Sequence, residues 1–353
     1  MRAVADVMIQ AQCGDRLALV TKLAIALLLA ITLAPCLTAI PAHAQSANTY
    51  VSGKGNDSNP CTSSQPCSTL QTALARTAAG GQINVLDSAN YGYLTINQAV
   101  SIVSVQGTAG TLAPAGVNGI TINAGANDVI NLQGLELDGA GSGANGIQFI
   151  SGAALNIQAS VIRSFNNGIN FQPTAGTSTL SVSATLIENN ATGVAFQSSA
   201  SSTNVLDNVQ IIGNNTGLSV VGTNGQTPAT VTIQNCVVAI NGTVGILSEG
   251  YSVVNVTNCT IASNGVGLEA QNTSALLQTS GSTVTGNATG WTTANGGQVI
   301  SSGNNVISGN TSGNNAPPTS APPPPPPPPP TNYLVDNSGS RLLDLNGNDL
   351  TAS

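Results

Sequence analysis

The chain has 353 residues, with seven Lys and Arg against 14 Asp and Glu, and a formal net charge of −7. So few cations exclude a protein that binds nucleic acid through clustered Lys and Arg. Only 6% of the residues are charged while 41% are hydrophobic, which excludes the highly charged, apolar-poor type of disordered chain.

Residues 1–44 have the pattern of a secretory signal peptide. Three basic residues precede the apolar run LAIALLLAITLA, and AHA at 42–44 offers small residues where a signal peptidase cleaves. A membrane anchor is the alternative, but the run is short for a span. Cys36 suggests a lipoprotein signal as a further alternative, but a proline directly before the cysteine fits such a signal poorly. We expect cleavage and a secreted, periplasmic or cell-surface protein without a membrane span.

Cleavage would remove the only histidine, His43, and leave four Lys and Arg against 12 Asp and Glu, a net charge of 4 − 12 = −8. Residues 45–85 are predicted to form an N-terminal cap. Cys61 and Cys67 in PCTSSQPC close a short loop, and in an exported protein a disulfide is favoured. The segment STLQ (68–71) begins a predicted short helix that reaches about Thr77 and covers the end of the fold.

An internal repeat occupies residues 86–312. A glycine followed by an apolar residue recurs at a nearly constant interval, which lies in the range typical of solenoids. A second recurring position, or slot, has the same interval and stays aligned with the glycine over seven repeats. The glycines are Gly146, Gly168, Gly193, Gly217, Gly245, Gly267 and Gly290, and the second slot holds Leu135, Ser160, Thr185, Val209, Cys236, Cys259 and Ser282.

Apolar residues alternate within each repeat, and no stretch long enough for an amphipathic helix intervenes. This pattern predicts an all-β fold, a right-handed parallel β-helix of about 8–10 coils with an N-terminal capping helix. Residues that share a slot must then stack. Phe149, Phe171 and Phe196 are expected in one interior column that Val220 continues, and Cys236 and Cys259 are expected as free stacked thiols rather than a metal or redox site.

An asparagine recurs at the turn before each glycine, where we expect left-handed backbone and bonds to neighbouring backbone groups. These residues are Asn145, Asn167, Asn190, Asn215, Asn241, Asn264 and Asn287. Trp291 takes an inward slot in the last coil, so a plug of the open end is favoured over a sugar-stacking role. A proline-rich linker (313–331) and a short tail (332–353) follow.

Residues 49–102 resemble a family of exported bacterial right-handed parallel β-helix repeat proteins of the pectate-lyase-like superfamily. The matching features are Tyr-Val-Ser, Gly-Asn-Asp, Asn-Pro-Cys, Pro-Cys, Thr-Leu-Gln and Gly-Gly-x-Ile-Asn, and the likeness extends to about Asn310. The superfamily includes pectin-degrading lyases, polygalacturonases, tailspikes and adhesins. The family has no assigned activity, so the resemblance implies the fold and leaves the function open.

The carboxylate cluster, Asp-Asp pair or histidine that β-helix lyases and hydrolases require is not visible. One candidate site remains: Asp138, Arg163 and Glu188 are evenly spaced by one repeat length, and Glu136 shares a face with Asp138. An ion-pair ladder is favoured over a catalytic site. We therefore expect an exported non-catalytic protein, without metal or cofactor, that binds polysaccharide or a cell-surface component. The alternative is a polysaccharide lyase or glycoside hydrolase with an atypical site on the β-helix face. Enzyme activity and oligomeric state stay open.

Overall fold

A computed structural model describes residues 45–104, 109–173, 177–198, 202–223 and 228–319. The predicted signal peptide (1–44) and tail (332–353) lie outside the described residues, as does most of the proline-rich linker. Within them the chain is a parallel β-solenoid of about eight turns with one short helix. The predicted fold class and capping helix are confirmed.

Two parallel sheets run the length of the solenoid, and every strand pairs with its counterpart one coil away. The first, sheet A, has 11 strands: β1 (Ser46–Val51), β2 (Thr77–Val85), β4 (Val100–Ser104), β7 (Val129–Gln133), β9 (Ala154–Gln158), β11 (Ser178–Ser183), β14 (Ser202–Asp207), β17 (Ala229–Gln234), β20 (Ser252–Thr257), β23 (Leu276–Ser280) and β26 (Gln298–Ser301).

The second, sheet B, has 16 strands in two limbs joined by a turn: β3 (Leu94–Ile96), β5 (Ala109–Leu112), β6 (Ile120–Asn123), β8 (Leu135–Ser151), β10 (Val161–Phe171), β12 (Leu186–Glu188), β13 (Thr192–Ser198), β15 (Gln210–Ile212), β16 (Thr216–Gly222), β18 (Val237–Ala239), β19 (Val244–Gly250), β21 (Thr260–Ala262), β22 (Val266–Gln271), β24 (Thr283–Thr285), β25 (Thr289–Ala294) and β27 (Val306–Ile307). Strands β8 and β10 continue through the turn.

The interior consists of stacked columns because strand side chains alternate between the two faces. In β17, Ala229, Val231 and Ile233 are buried while the residues between them point outward. The predicted phenylalanine column is confirmed. Phe171 pairs in register with both Phe149 and Phe196, with ring centroids 4.6 and 5.6 Å apart, and Phe196 pairs with Val220.

The repeated glycine marks the point where successive coils approach most closely. A Cβ atom on Gly193 would lie 2.6 Å from the carbonyl oxygen of Gly217, and one on Gly217 would lie 2.5 Å from that of Gly245. The other glycines of the column meet the same obstacle. A side chain is excluded here because the obstructing atom belongs to the backbone of the next coil.

The slot that contains the cysteines hydrogen-bonds to backbone groups. The Cys236 thiol accepts a bond from the Val209 N–H at 3.3 Å and donates to the Gln234 carbonyl at 3.0 Å. Ser282 makes the equivalent bonds with Cys259 N–H and the Ser280 carbonyl. Cys236 and Cys259 are free and buried, as predicted. Their contact and their burial raise the pKa of the Cys236 thiol, so it remains a protonated donor.

The asparagine prediction was partly wrong. The buried ladder consists of Asn190, Asn214, Asn241, Asn264, Asn287 and Asn310. Asn215 is exposed, and Asn145 and Asn167 form a separate outer ladder with Asn118. None of the seven predicted residues has a positive φ. The left-handed residues directly precede the ladder, as Asn189 (φ 56°) and Gly213 (φ 69°) do, and they turn the next side chain inward.

The predicted capping helix and Trp291 lie at opposite ends of the described solenoid. At the N-terminal end lies helix α1 (Leu70–Arg76), whose cap Thr69 accepts a bond from Thr72 N–H, and the predicted Cys61–Cys67 disulfide is present. Strands β1 and β2, which fall in the predicted cap, already pair within sheet A. At the other end Trp291 packs partly buried against the core, and its indole N–H donates to the Asn315 carbonyl at 2.7 Å.

Candidate functional site

The candidate residues Glu136, Asp138, Arg163 and Glu188 lie on the outer face of the first limb of sheet B. Arg163 in β10 pairs in register with Asp138 in β8 and with Glu188 in β12. The predicted column therefore exists in space. It forms for two reasons. Alternate side chains of each strand point outward, and the number of residues from Asp138 to Arg163 equals the number from Arg163 to Glu188.

The ion pairs differ from the expected ladder. Arg163 Nη2 lies 2.5 Å from Glu136 Oε1, and Arg163 Nε donates to Asp138 Oδ2 at 3.0 Å. Both carboxylates belong to the preceding coil, whereas Glu188 in the following coil contributes only attraction through space. The hydrogen bond to Asp138, followed by the charges of the nearby carboxylates, raises the pKa of Arg163. The guanidinium is therefore held as a cation and is unsuited to removing a proton.

A groove lies beside this cluster, at the turn between the two limbs of sheet B. We call it the turn groove; its volume is about 530 Å³. Its wall results from an insertion, because Gly143 lies five positions after Asp138 (143 − 138 = 5). In the paired strand Phe165 lies only two positions after Arg163 (165 − 163 = 2). The lining residues are Gly141, Ser142, Gly143, Ser164, Phe165, Asn166, Asn189, Asn190, Ala191 and Gly213. The four candidate residues are not among them.

A second groove, of about 320 Å³, lies on the outer face of sheet A. We call it the amide groove. Strands β2, β4, β7 and β9 contribute one column of outward residues in register. The lining residues are Gln82, Ser101, Val103, Asn131, Leu132, Gln133, Asn156 and Gln158. All the polar side chains in this set are uncharged.

Hydrogen bonds between coils order the floor of the amide groove. Asn156 Nδ2 donates to Asn131 Oδ1 at 2.8 Å, and Asn131 Nδ2 donates to Ser101 Oγ at 3.0 Å. The Asn131 amide thus uses one N–H and one lone pair within the ladder, and its second N–H and second lone pair can meet a ligand. Gln133 and Gln158, at the next outward position of their strands, are exposed.

The repeat pattern of the sequence did not single out the amide groove. Its signal is present: Ser101, Asn131 and Asn156 each lie between two buried apolar residues of a strand. Polar residues at outward positions are ordinary for a solenoid, however, so their composition alone does not distinguish a groove from a solvated face. The pairing register of β2, β4, β7 and β9 shows that these side chains share one groove.

Both arginines in the described part of the chain have partners, and the lysine lies near a carboxylate. Arg163 is bound by the two carboxylates of the preceding coil. Arg76 Nη2 donates to the Asp57 carbonyl at 2.8 Å, and its Nη1 contacts both disulfide sulfurs. Lys54 lies near Asp87.

Asp57 and Asp87 are held as carboxylates at the N-terminal coils. Ser52 Oγ and Tyr91 Oη donate to Asp87 at 2.6 Å each, and the Gly53 N–H donates at 2.7 Å. These bonds, with a smaller effect of Lys54, lower the pKa of Asp87. Burial raises the pKa of Asp57, but hydrogen bonds from Thr69 and Ser68 outweigh it, so the net shift is downward.

Among the residues that the structure describes, no three His, Cys, Asp or Glu side chains converge as a metal-ligand set. The same residues contain no helix that is long and apolar enough to cross a membrane.

Comparison with known proteins places the fold. The model of the family described as right handed beta helix region matches residues 118–287. Pectate lyase Pel9A is similar in structure, with a TM-score of 0.55, 14% identity, and coverage of 85% of this chain and 88% of that one. The A-module of the mannuronan C-5 epimerase AlgE6 of Azotobacter vinelandii has a TM-score of 0.52 and 16% identity, over 66% and 68% of the two chains. No curated protein matches in sequence.

Proposed function

Because residues 118–287 are a right-handed β-helix region and the fold is that of pectate-lyase-like proteins, we propose that this protein is an exported, non-catalytic β-helix that binds polysaccharide through the amide groove. The printed names of the two structural relatives refer to enzymes that act on pectate and mannuronan. At 14 and 16% identity they support the fold alone. The proposal therefore depends on the groove of this chain.

The observation that carries the proposal is the in-register amide column of sheet A. Asn156, Asn131 and Ser101 are spaced by one coil each, about 4.8 Å, and joined by hydrogen bonds. That spacing is comparable to the length of one pyranose ring, so successive sugars can meet successive coils. Amide and hydroxyl groups both donate and accept, which complements sugar hydroxyls.

The arrangement of the charged cluster supports binding over catalysis. A general base needs a pKa near the working pH, and Arg163 is instead fixed as a cation between Glu136 and Asp138. The Cys61–Cys67 disulfide is consistent with an oxidising compartment, which supports the export part of the proposal. Removal of residues 1–44 as a signal peptide belongs to the same proposal.

The test is affinity electrophoresis of the purified protein against a panel of soluble polysaccharides, followed by calorimetry on those that retard it. Asn131→Ala combined with Asn156→Ala should abolish the retardation. Asn255→Ala is the matched control, because Asn255 lies in the same outward column four coils further along sheet A. Retardation that survives the double substitution would place binding elsewhere, and a panel without any retardation would overturn the function.

A second candidate function is a polysaccharide lyase or glycoside hydrolase. One observation favours it: Ser164 and Asn189 line the turn groove and directly follow Arg163 and Glu188. Incubation with acidic and neutral polysaccharides would reveal unsaturated sugar ends or new reducing ends. Activity lost in Arg163→Ala with Glu188→Ala would support this candidate, and activity that persists there would contradict the site.

A further inference from the structure

We propose that the ligand of the amide groove is an uncharged polysaccharide rather than a uronate polymer. This inference rests on the proposed function and specifies its ligand class. It differs from the acidic polymers that a pectate-lyase-like fold would suggest, and it follows from where this chain keeps its charges.

The groove itself offers no cation. Its polar lining consists of amides and one hydroxyl, from Gln82, Ser101, Asn131, Gln133, Asn156 and Gln158. Recognition of a carboxylate on each sugar would call for Arg or Lys, whose charged donors make hydrogen bonds roughly twice as strong as neutral ones. Neutral amides match hydroxyl groups and provide no such compensation for a carboxylate that loses its water.

None of the three cations of the described chain lines the groove. The Arg163 guanidinium is neutralised by two carboxylates on sheet B. The Arg76 guanidinium is committed to the Asp57 carbonyl and the disulfide at the N-terminal end. Lys54 is the remaining basic residue of the described chain; it is not among the residues that line the groove, and its charge acts on Asp87 through space.

The surrounding field also disfavours a polyanion. The described residues contain three Lys and Arg and nine Asp and Glu, a net charge of 3 − 9 = −6. A polymer with one carboxylate per sugar would be repelled by this net negative charge. Like-charge repulsion lowers both the association rate and the affinity, and salt screens it.

The experiment compares one polysaccharide with and without charge. The neutral polysaccharide that the binding screen retains is oxidised at its primary alcohols to carboxylates, so that the backbone stays the same. Calorimetry at low and high salt then gives the affinities of both forms. We expect the oxidised form to bind about tenfold or more weakly at low salt, with part of the loss recovered at high salt, and the neutral form to be insensitive to salt.

A gain-of-function variant locates the effect. Gln133→Lys adds one cation to the exposed rim of the groove and should raise the affinity for the oxidised form severalfold relative to the neutral form. Thr257→Lys is the matched control, since Thr257 occupies the same outward column in β20, beyond the groove, with uncharged residues in register on both sides. Equal gains in both variants would contradict a role for the groove in charge selection.

The outcomes separate the two proposals. If the screen retains only uronate polymers, or if the oxidised form binds as tightly as the neutral one, the charge inference is overturned while polysaccharide binding stands. If no polysaccharide is retained, the proposed function fails and the inference fails with it.

Discussion

Asn214 accepts two hydrogen bonds from Asn190 of the preceding coil on a single atom. Its Oδ1 receives the Asn190 backbone N–H at 2.9 Å and the Asn190 Nδ2 at 3.0 Å. The same pair of bonds links each later member of the ladder to the next, down to Asn310, which Asn314 terminates. Each buried asparagine therefore satisfies the backbone of its neighbour as well as its side chain.

Removing one ladder member should destabilise the solenoid. In Asn241→Ala the backbone N–H and Nδ2 of Asn214 lose their shared acceptor, at a cost of about 2–3 kcal/mol in the free energy of unfolding. Asn215→Ala, at the exposed neighbouring position, should cost under about 1 kcal/mol. Chemical denaturation of both variants gives their free energies of unfolding. Equal losses of stability would contradict a stabilising role for the buried ladder.

The glycine column should not accept alanine. Gly193→Ala would place a Cβ atom 2.6 Å from the Gly217 carbonyl oxygen, and the forced separation of coils should cost about 1–3 kcal/mol. Gly242→Ala is a suitable comparison, because its nearest neighbour is the Asn215 side chain at 3.3 Å, which can move. Melting temperatures of the two variants should differ clearly, with Gly193→Ala the lower.

Serine should replace Cys236 without a large effect. Serine and threonine already bond to the same backbone carbonyl position at Ser160, Thr185 and Ser282, so Cys236→Ser should change the free energy of unfolding by less than about 1 kcal/mol. Cys236→Ala leaves the Val209 N–H without an acceptor and should cost about 1–3 kcal/mol. A serine variant as unstable as the alanine variant would indicate that the thiols have another role.

The Arg163 ion pairs should contribute little to stability. The Arg163 side chain is 37% exposed and its partners Glu136 and Asp138 are 26% and 30% exposed, and pairs of this kind are worth about 1 kcal/mol or less. Arg163→Gln should therefore lower stability slightly at low salt and less at high salt. Polysaccharide binding at the amide groove should be unchanged, and a loss of binding in this variant would favour the turn groove as the site.

Asp87 should make the N-terminal coils sensitive to acid. Its pKa is lowered from the ordinary value of 3.8, so its hydrogen bonds contribute fully above that value and are lost as the pH falls below it. Asp87→Asn should be less stable than the parent at neutral pH, and the difference should shrink below pH 3.8. Denaturation curves at both pH values check this; a difference that grows in acid would contradict the lowered pKa.

The sequence by itself determined the coils and their interior columns. In a solenoid the spatial neighbour of a residue lies one period away in the chain, so sequence spacing is equivalent to contact. Phe149 and Phe171 could therefore be placed in contact, and Arg163 opposite Asp138, from their spacing in the chain alone. The N-terminal helix and the Cys61–Cys67 bond could also be predicted from the sequence, because both depend on residues that lie close together in the chain.

Only the tertiary structure decided what happens at the turns and on the outer faces. The left-handed backbone of Gly213 points Asn214 rather than Asn215 inward. The spacing to the repeated glycine favours Asn214 without fixing it, because it is three positions for Asn190 and Asn214 but four for Asn241. The insertion after Asp138 builds the wall of the turn groove. Arg163 turns to the preceding coil, and outward amides on three strands and a hydroxyl on a fourth meet in one groove. Each of these features depends on local backbone angles and on the packing of several coils. The repeat length of the sequence specifies neither.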